Sequence, residues 1–215
     1  FDEKIIQKVD DTSISYREVL YPYFEDYFWY KLGINIIFGI KTDVKAEKLF
    51  LPIELLNSLE KAKTDGKSLV SEKKIIVKGT EKPASFSFLN SIYLIIALLL
   101  LVIVINKRIL FLSYLFVCGL LGVFLGLVGF YSEHQEILWN YNTLLFSPLS
   151  LILPFAKNKC FKILCNLSLV LLVIYTGFMT TKPHLMVMLP FIITGFYILL
   201  KLNGFISSKL LSSVK

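Results

Sequence analysis

The chain has 215 residues, 55% of them hydrophobic, with a mean hydropathy of +0.67 and a formal charge of +7. That apolar content exceeds what one or two soluble globular domains carry, so the composition is that of a membrane protein. The positive charge does not point to nucleic acid: most lysines lie beside apolar segments or in one short polar stretch, which makes anionic lipid headgroups the natural partner.

Cys118, Cys160 and Cys165 give neither a CxxC pair nor a Cys/His metal spacing, so a disulfide framework is excluded and no metal or cofactor is expected. The chain opens on Phe1 without a charged-then-apolar leader, and is expected to be the C-terminal part of a longer protein.

Residues 1–85 are expected to be the C-terminal part of a periplasmic domain with juxtamembrane helices. Ser15-Tyr16-Arg17-Glu18 is a capping box that starts a helix near Tyr16, and Pro22 interrupts it or opens a second. Tyr21 to Tyr30 is dense in aromatic residues and Leu32 to Ile40 is apolar apart from Asn35. This suits a surface-lying amphipathic helix or, equally, the core of a soluble domain; it is too short to span. Leu51-Pro52 opens another helix, with Ile53, Leu55, Leu56 and Leu59 on its apolar side and Gly66 as its stop. Ser68 to Pro83 reads as a short strand pair or an extended linker. This half contains neither His nor Cys and shows no catalytic constellation.

Residues 86–206 are expected to form a bundle of five transmembrane helices, at 86–106, 109–132, 137–156, 163–181 and 185–200, followed by a cytoplasmic tail at 207–215. The fifth is short, but Lys201 can snorkel and Leu202 to Phe205 extend it. Asn140, Asn142, Pro148 and Pro154 make a re-entrant third segment an alternative. Charge favours five full spans, which put Lys107, Arg108, Lys157, Lys159, Lys162, Lys201, Lys209 and Lys215 on one side and Glu133 and Glu136 on the other. The positive-inside rule makes the lysine-rich side cytoplasmic and places residues 1–85 and both histidines outside. Gly119, Gly122, Gly126 and Gly129 line one face of the second span and are expected to let a neighbouring helix approach closely, and Pro190 is expected to kink the fifth.

Two stretches together resemble a known family. The first is Ser15-Tyr16-Arg17-Glu18 with Leu20 and Pro22-Tyr23, then Leu32-Gly33-Ile34, Gly39, Asp43 and Phe50-Leu51-Pro52 with Leu55. The second is His134, then Asn140 and Asn142, Leu144-Leu145 and Pro148-Leu149. They are similar, in order and spacing, to the end of the periplasmic domain and the five-helix membrane domain of the Lnb-type bacterial lipoprotein N-acyltransferases. The resemblance implies a multi-pass protein of the bacterial inner membrane, with its N-terminal part periplasmic. It also implies transfer of an acyl chain from phospholipid to the N-terminal cysteine amine of a lipoprotein substrate. The Cys nucleophile and His base that it implies lie upstream of Phe1, in the same polypeptide or a partner chain, so no catalytic residue is assigned here.

The stretch Tyr131 to Leu149 is a polar knot in an apolar half. Either Asn140 or Asn142 caps the third span while Trp139 and Tyr141 anchor it, or His134, Asn140, Asn142 and His184 face the bundle interior and bind a lipid headgroup or glycerol ester. A non-catalytic membrane anchor or interaction subunit is the competing function. A transporter fits less well, because no span carries a charge at its middle.

Overall fold

The computed structural model describes residues 13–47, 51–64, 66–77 and 86–204. The expected tail at 207–215, the extension at Phe205 and the end of the linker up to Pro83 lie outside the described residues. The fold is mainly helical and divides into two units. One comprises Thr42–Phe86 with the residues up to Asp26; the other comprises Tyr27–Lys41 with the residues from Ser87 onward.

In the first unit, helix α1 (Tyr16–Val19) begins as its sequence dictates. The Ser15 hydroxyl accepts from the Glu18 N–H, and the Glu18 carboxylate accepts from the Ser15 N–H at 2.9 Å. Arg17 is fully buried and its Nε donates to Asp43 Oδ1 at 2.7 Å, a pairing that a buried guanidinium needs. Pro22 sits in a 3-10 turn, Tyr21–Phe24. Helix α3 (Pro52–Lys61) starts with proline in the tolerated first turn, but it ends before Gly66. That glycine, at φ 77°, instead turns a two-residue hairpin between β1 (Lys63–Thr64) and β2 (Lys67–Ser68). Of the two expectations for Ser68 to Pro83, a strand pair or an extended linker, the described residues beyond Ser68 form no further strand.

The second unit contains α2 (Phe28–Ile37), α4 (Ile92–Ile105), α5 (Arg108–Tyr131), α6 (Asn158–Met179) and α7 (Leu185–Asn203). Among the described residues three helices, α5, α6 and α7, are long and apolar enough to cross a membrane. The α4 helix has 14 residues and is preceded by a 3-10 turn at Phe88–Asn90. It ends at Asn106, whose left-handed conformation (φ 51°) turns the chain directly into α5. Lys201 lies in the last turn of α7, and Pro190 lies inside that helix.

The third expected helix, 137–156, is not a helix. It consists of 3-10 turns at Gln135–Ile137, Tyr141–Thr143 and Pro148–Leu151 joined by other turns and a few extended residues, because Pro148 and Pro154 lack the N–H a helix needs and Asn140 and Ser147 take the N–H groups of Asn142 and Leu149 into local turns. This irregular segment runs antiparallel along α5. Leu138 meets Gly129, Phe146 meets Gly122, Ser150 and Leu151 meet Gly119, and the Phe155 and Phe116 rings lie 6.3 Å apart. The segment therefore returns the chain to the end where α5 began, and Arg108 stacks on the Phe161 ring at 5.0 Å. An Asn203–Asn166 side-chain hydrogen bond brings the last turn of α7 to the same end.

The glycine face is what admits this segment. A Cβ on Gly122 would lie 1.6 Å from the Phe146 carbonyl oxygen, and one on Gly119 would lie 2.5 Å from the Leu151 nitrogen. Gly126 has nothing within 4 Å of such an atom. Gly122→Ala is thus expected to displace backbone and destabilise by about 3 kcal/mol or more, whereas Gly126→Ala is expected to be neutral or slightly stabilising. Thermal unfolding of the two detergent-solubilised variants checks this; equal midpoints would contradict the close packing.

Candidate functional site: a carboxamide clasp at one end of the bundle

Helix α2 ends with carbonyl groups that have no intrahelical partner, and its C-terminus carries the negative end of the helix dipole. Two side-chain amides from the irregular segment meet them. Asn142 Nδ2 donates to the carbonyls of Asn35 (2.8 Å) and Ile36 (2.9 Å), and Asn140 Nδ2 donates to those of Ile36 and Ile37, both at 2.7 Å. The carboxamide oxygens are used as well. Asn140 Oδ1 accepts from the Asn142 N–H at 2.9 Å, and Asn142 Oδ1 accepts from the Tyr175 hydroxyl of α6 at 2.8 Å. Because carbonyls only accept, this network fixes which amide atom faces which way.

Gly39 completes the join. Its N–H donates to the Glu136 carbonyl at 2.8 Å, and a Cβ there would lie 2.1 Å from the Leu138 carbonyl oxygen. Between Leu138 and Asn140, Trp139 adopts φ 55°, a left-handed conformation that costs an indole-bearing residue free energy. That turn lets the residues on either side of it face different neighbours: Leu138 packs on Gly129 of α5 and Asn140 reaches α2. Trp139 itself points outward.

Beside the clasp, Tyr141 Oη and His184 Nε2 are 3.0 Å apart in a buried contact, which ties the irregular segment to the start of α7. Tyr141 also packs on Phe178 at 4.8 Å, and Lys182 Nζ lies over the Phe178 ring at 4.8 Å. A groove of about 350 Å³ lies alongside. Gly126, Gly129 and Phe130 form its α5 wall, with Leu138, Asn140 and Tyr141 opposite. Among the described residues no group of three His, Cys, Asp or Glu side chains is placed to hold a metal.

Of the four residues singled out in the sequence, the structure brings together Asn140, Asn142 and His184, all buried, and leaves His134 exposed in the loop after α5. Asn140 caps a 3-10 turn, not a long helix. The sequence reasoning missed Tyr175, a phenol in an apolar span whose polar tip needed a partner, and it noted Asn35 only as an interruption. No protein-family model, no curated protein and no solved structure matches the chain.

Removing the Asn142 side chain leaves the Tyr175 hydroxyl and the Asn35 carbonyl to find other partners in a buried setting. Asn142→Ala is expected to lower stability by about 2–4 kcal/mol and Tyr175→Phe by about 1–2 kcal/mol, with His134→Ala near neutral. Thermal midpoints of the purified variants decide it: an Asn142→Ala protein as stable as the parent would show that the clasp holds nothing.

Proposed function

We propose that the chain is a five-pass module of the bacterial inner membrane whose lysine-rich end is cytoplasmic and whose clasp end faces the periplasm. In this reading α4 crosses together with the 3-10 turn before it, and the irregular segment is the third crossing. Irregular backbone is tolerated at membrane depth only where protein buries it, and Asn142, Phe146, Ser147, Ser150 and Leu153 are all buried. The charge pattern supports the orientation, because Lys107, Arg108, Lys157, Lys159 and Lys162 flank the same ends of α5 and α6. Cys160 is an exposed native thiol at that end. In a protein whose other cysteines are replaced, it is expected to react with a membrane-impermeant maleimide only after the inner face is opened. A Glu133→Cys thiol, with Cys160 also replaced, should react in intact spheroplasts. Labelling of both from one side would mean that the irregular segment does not cross.

The function this arrangement supports best is a membrane platform that anchors an extracytoplasmic part and presents a phospholipid acyl chain to it. The observation that carries it is the apolar groove bordered by Asn140 and Tyr141 at the clasp end. Taken with the resemblance described above, the platform would serve an acyl transfer in which the phospholipid ester breaks and an amide forms on the lipoprotein's cysteine amine. The thioester chemistry would belong to the upstream domain or partner chain. Ser15 with Glu18 in a capping box and Arg17 with Asp43 in a buried ion pair support a structural role for these motif residues. Mass spectrometry of lipoprotein N-termini should find the N-acyl group lost when the gene is deleted. It should be reduced several-fold by Gly126→Leu in the full-length protein at unchanged abundance. Full acylation without the gene would overturn acyl transfer and leave the non-catalytic anchor, a role the clasp itself favours.

A further inference from the structure

Helix α2 is pinned at its C-terminus by the clasp, yet its first turn is left uncovered. Trp29 and Tyr30 are largely exposed, and Trp29 Nε1 donates to the Leu89 carbonyl at 2.9 Å, just before α4 begins. Tyr93 in the first turn of α4, Phe130 and Tyr131 in the last turn of α5, and Trp139 beside the clasp are exposed too. These six rings are between 45% and 75% accessible. They come from four separate stretches, and all belong to one end of the bundle.

In water such a ring of exposed aromatic side chains would be an unfavourable patch. The last turn of α5, a helix long and apolar enough to cross a membrane, fixes the level of the patch as that of a membrane surface. Tyrosine and tryptophan, with an apolar body and a polar tip, are most stable in that layer. We propose that α2 is a membrane-surface helix: its aromatic first turn lies in the phospholipid headgroup and glycerol layer, within a girdle continued by α4, α5 and Trp139. The clasp is the device that holds it at that depth. Carbonyls at its C-terminus that would otherwise require water are satisfied by Asn140 and Asn142, so the helix end can sit against the bundle while the rings face lipid. This rests on α5, α6 and α7 crossing a membrane and on neither the orientation nor the acyl-transfer reading.

The chain contains two tryptophans, Trp29 and Trp139, and both are in the proposed girdle, so tryptophan emission excited on the red edge, where its tyrosines do not absorb, reports on it alone. The full chain is reconstituted into phosphatidylcholine vesicles, with bromine placed either near the carbonyl end or near the methyl end of the acyl chains. Shallow bromine is expected to quench the emission by half or more and deep bromine distinctly less, with aqueous acrylamide quenching well below that of free tryptophan. Trp29→Phe and Trp139→Phe separate the two signals, and the unsubstituted protein gives their sum should either variant fold poorly. Trp29 emission that is open to acrylamide and insensitive to brominated lipid places α2 in water and overturns the proposal. So does protection from both quenchers, which means a protein partner covers the face.

Discussion

The structure depends on how the C-terminus of α2 is satisfied. A helix that ends inside a protein leaves several carbonyl groups and a concentration of negative potential, and burial removes the water that would normally answer both. Asn140 and Asn142 answer them with four N–H···O contacts to three successive carbonyls. Each amide also has an oxygen, and neither is wasted: one closes the local turn at Asn142 and the other receives Tyr175. The clasp thereby links α2, the irregular segment and α6. The Tyr141–His184 contact extends it to α7. A polar network of this kind is stabilising only when every member is partnered, so its parts stand or fall together.

The irregular segment has a second requirement, which the glycines of α5 meet. A chain that returns beside a helix without being helical must find partners for its own backbone and must approach closely enough to exclude lipid. Gly119, Gly122 and Gly129 remove the side chains that would hold it away, and local turns capped by Asn140 and Ser147 take up N–H groups. Gly126 stands on the same helix but meets nothing, because the segment swings out there to reach α2. The groove is the space left by that excursion, so clasp and groove are two results of one change in path.

Much of this was legible in the sequence. The length and apolarity of α5, α6 and α7 and the capping box at Ser15 follow from hydropathy and local hydrogen-bond chemistry. The glycine spacing announced a close approach on α5, but the neighbour it admits is an irregular segment where a helix was expected, and Gly126 takes no part. The third helix misled because the lysine pattern, which reports only that the chain returns to the same side, outweighed Asn140, Pro148 and Pro154, the residues that make a re-entrant segment the alternative and that together with Ser147 interrupt the ladder. The partner of the polar knot was not legible at all. Asn142 and Asn35 are 107 positions apart, and no local pattern pairs an asparagine with carbonyls so distant in sequence. Likewise, His134 and His184 were both candidates for one interior site, and only the fold separates an exposed loop residue from one buried against Tyr141.

That separation changes where function should be sought. The polar capacity of Asn142 is taken up by Asn35, Ile36 and Tyr175, so a lipid headgroup binding there would have to displace bonds that hold the bundle together. A ligand recruited at the cost of the fold is bound weakly, since the free energy lost in opening the network is subtracted from that gained on binding. The surfaces that can meet a lipid without this cost are those the clasp creates and does not use: the groove beside Gly126 and the outward rings of Trp29 and Trp139. The polar knot acts at one remove, by fixing the depth of an aromatic helix and the width of an apolar groove.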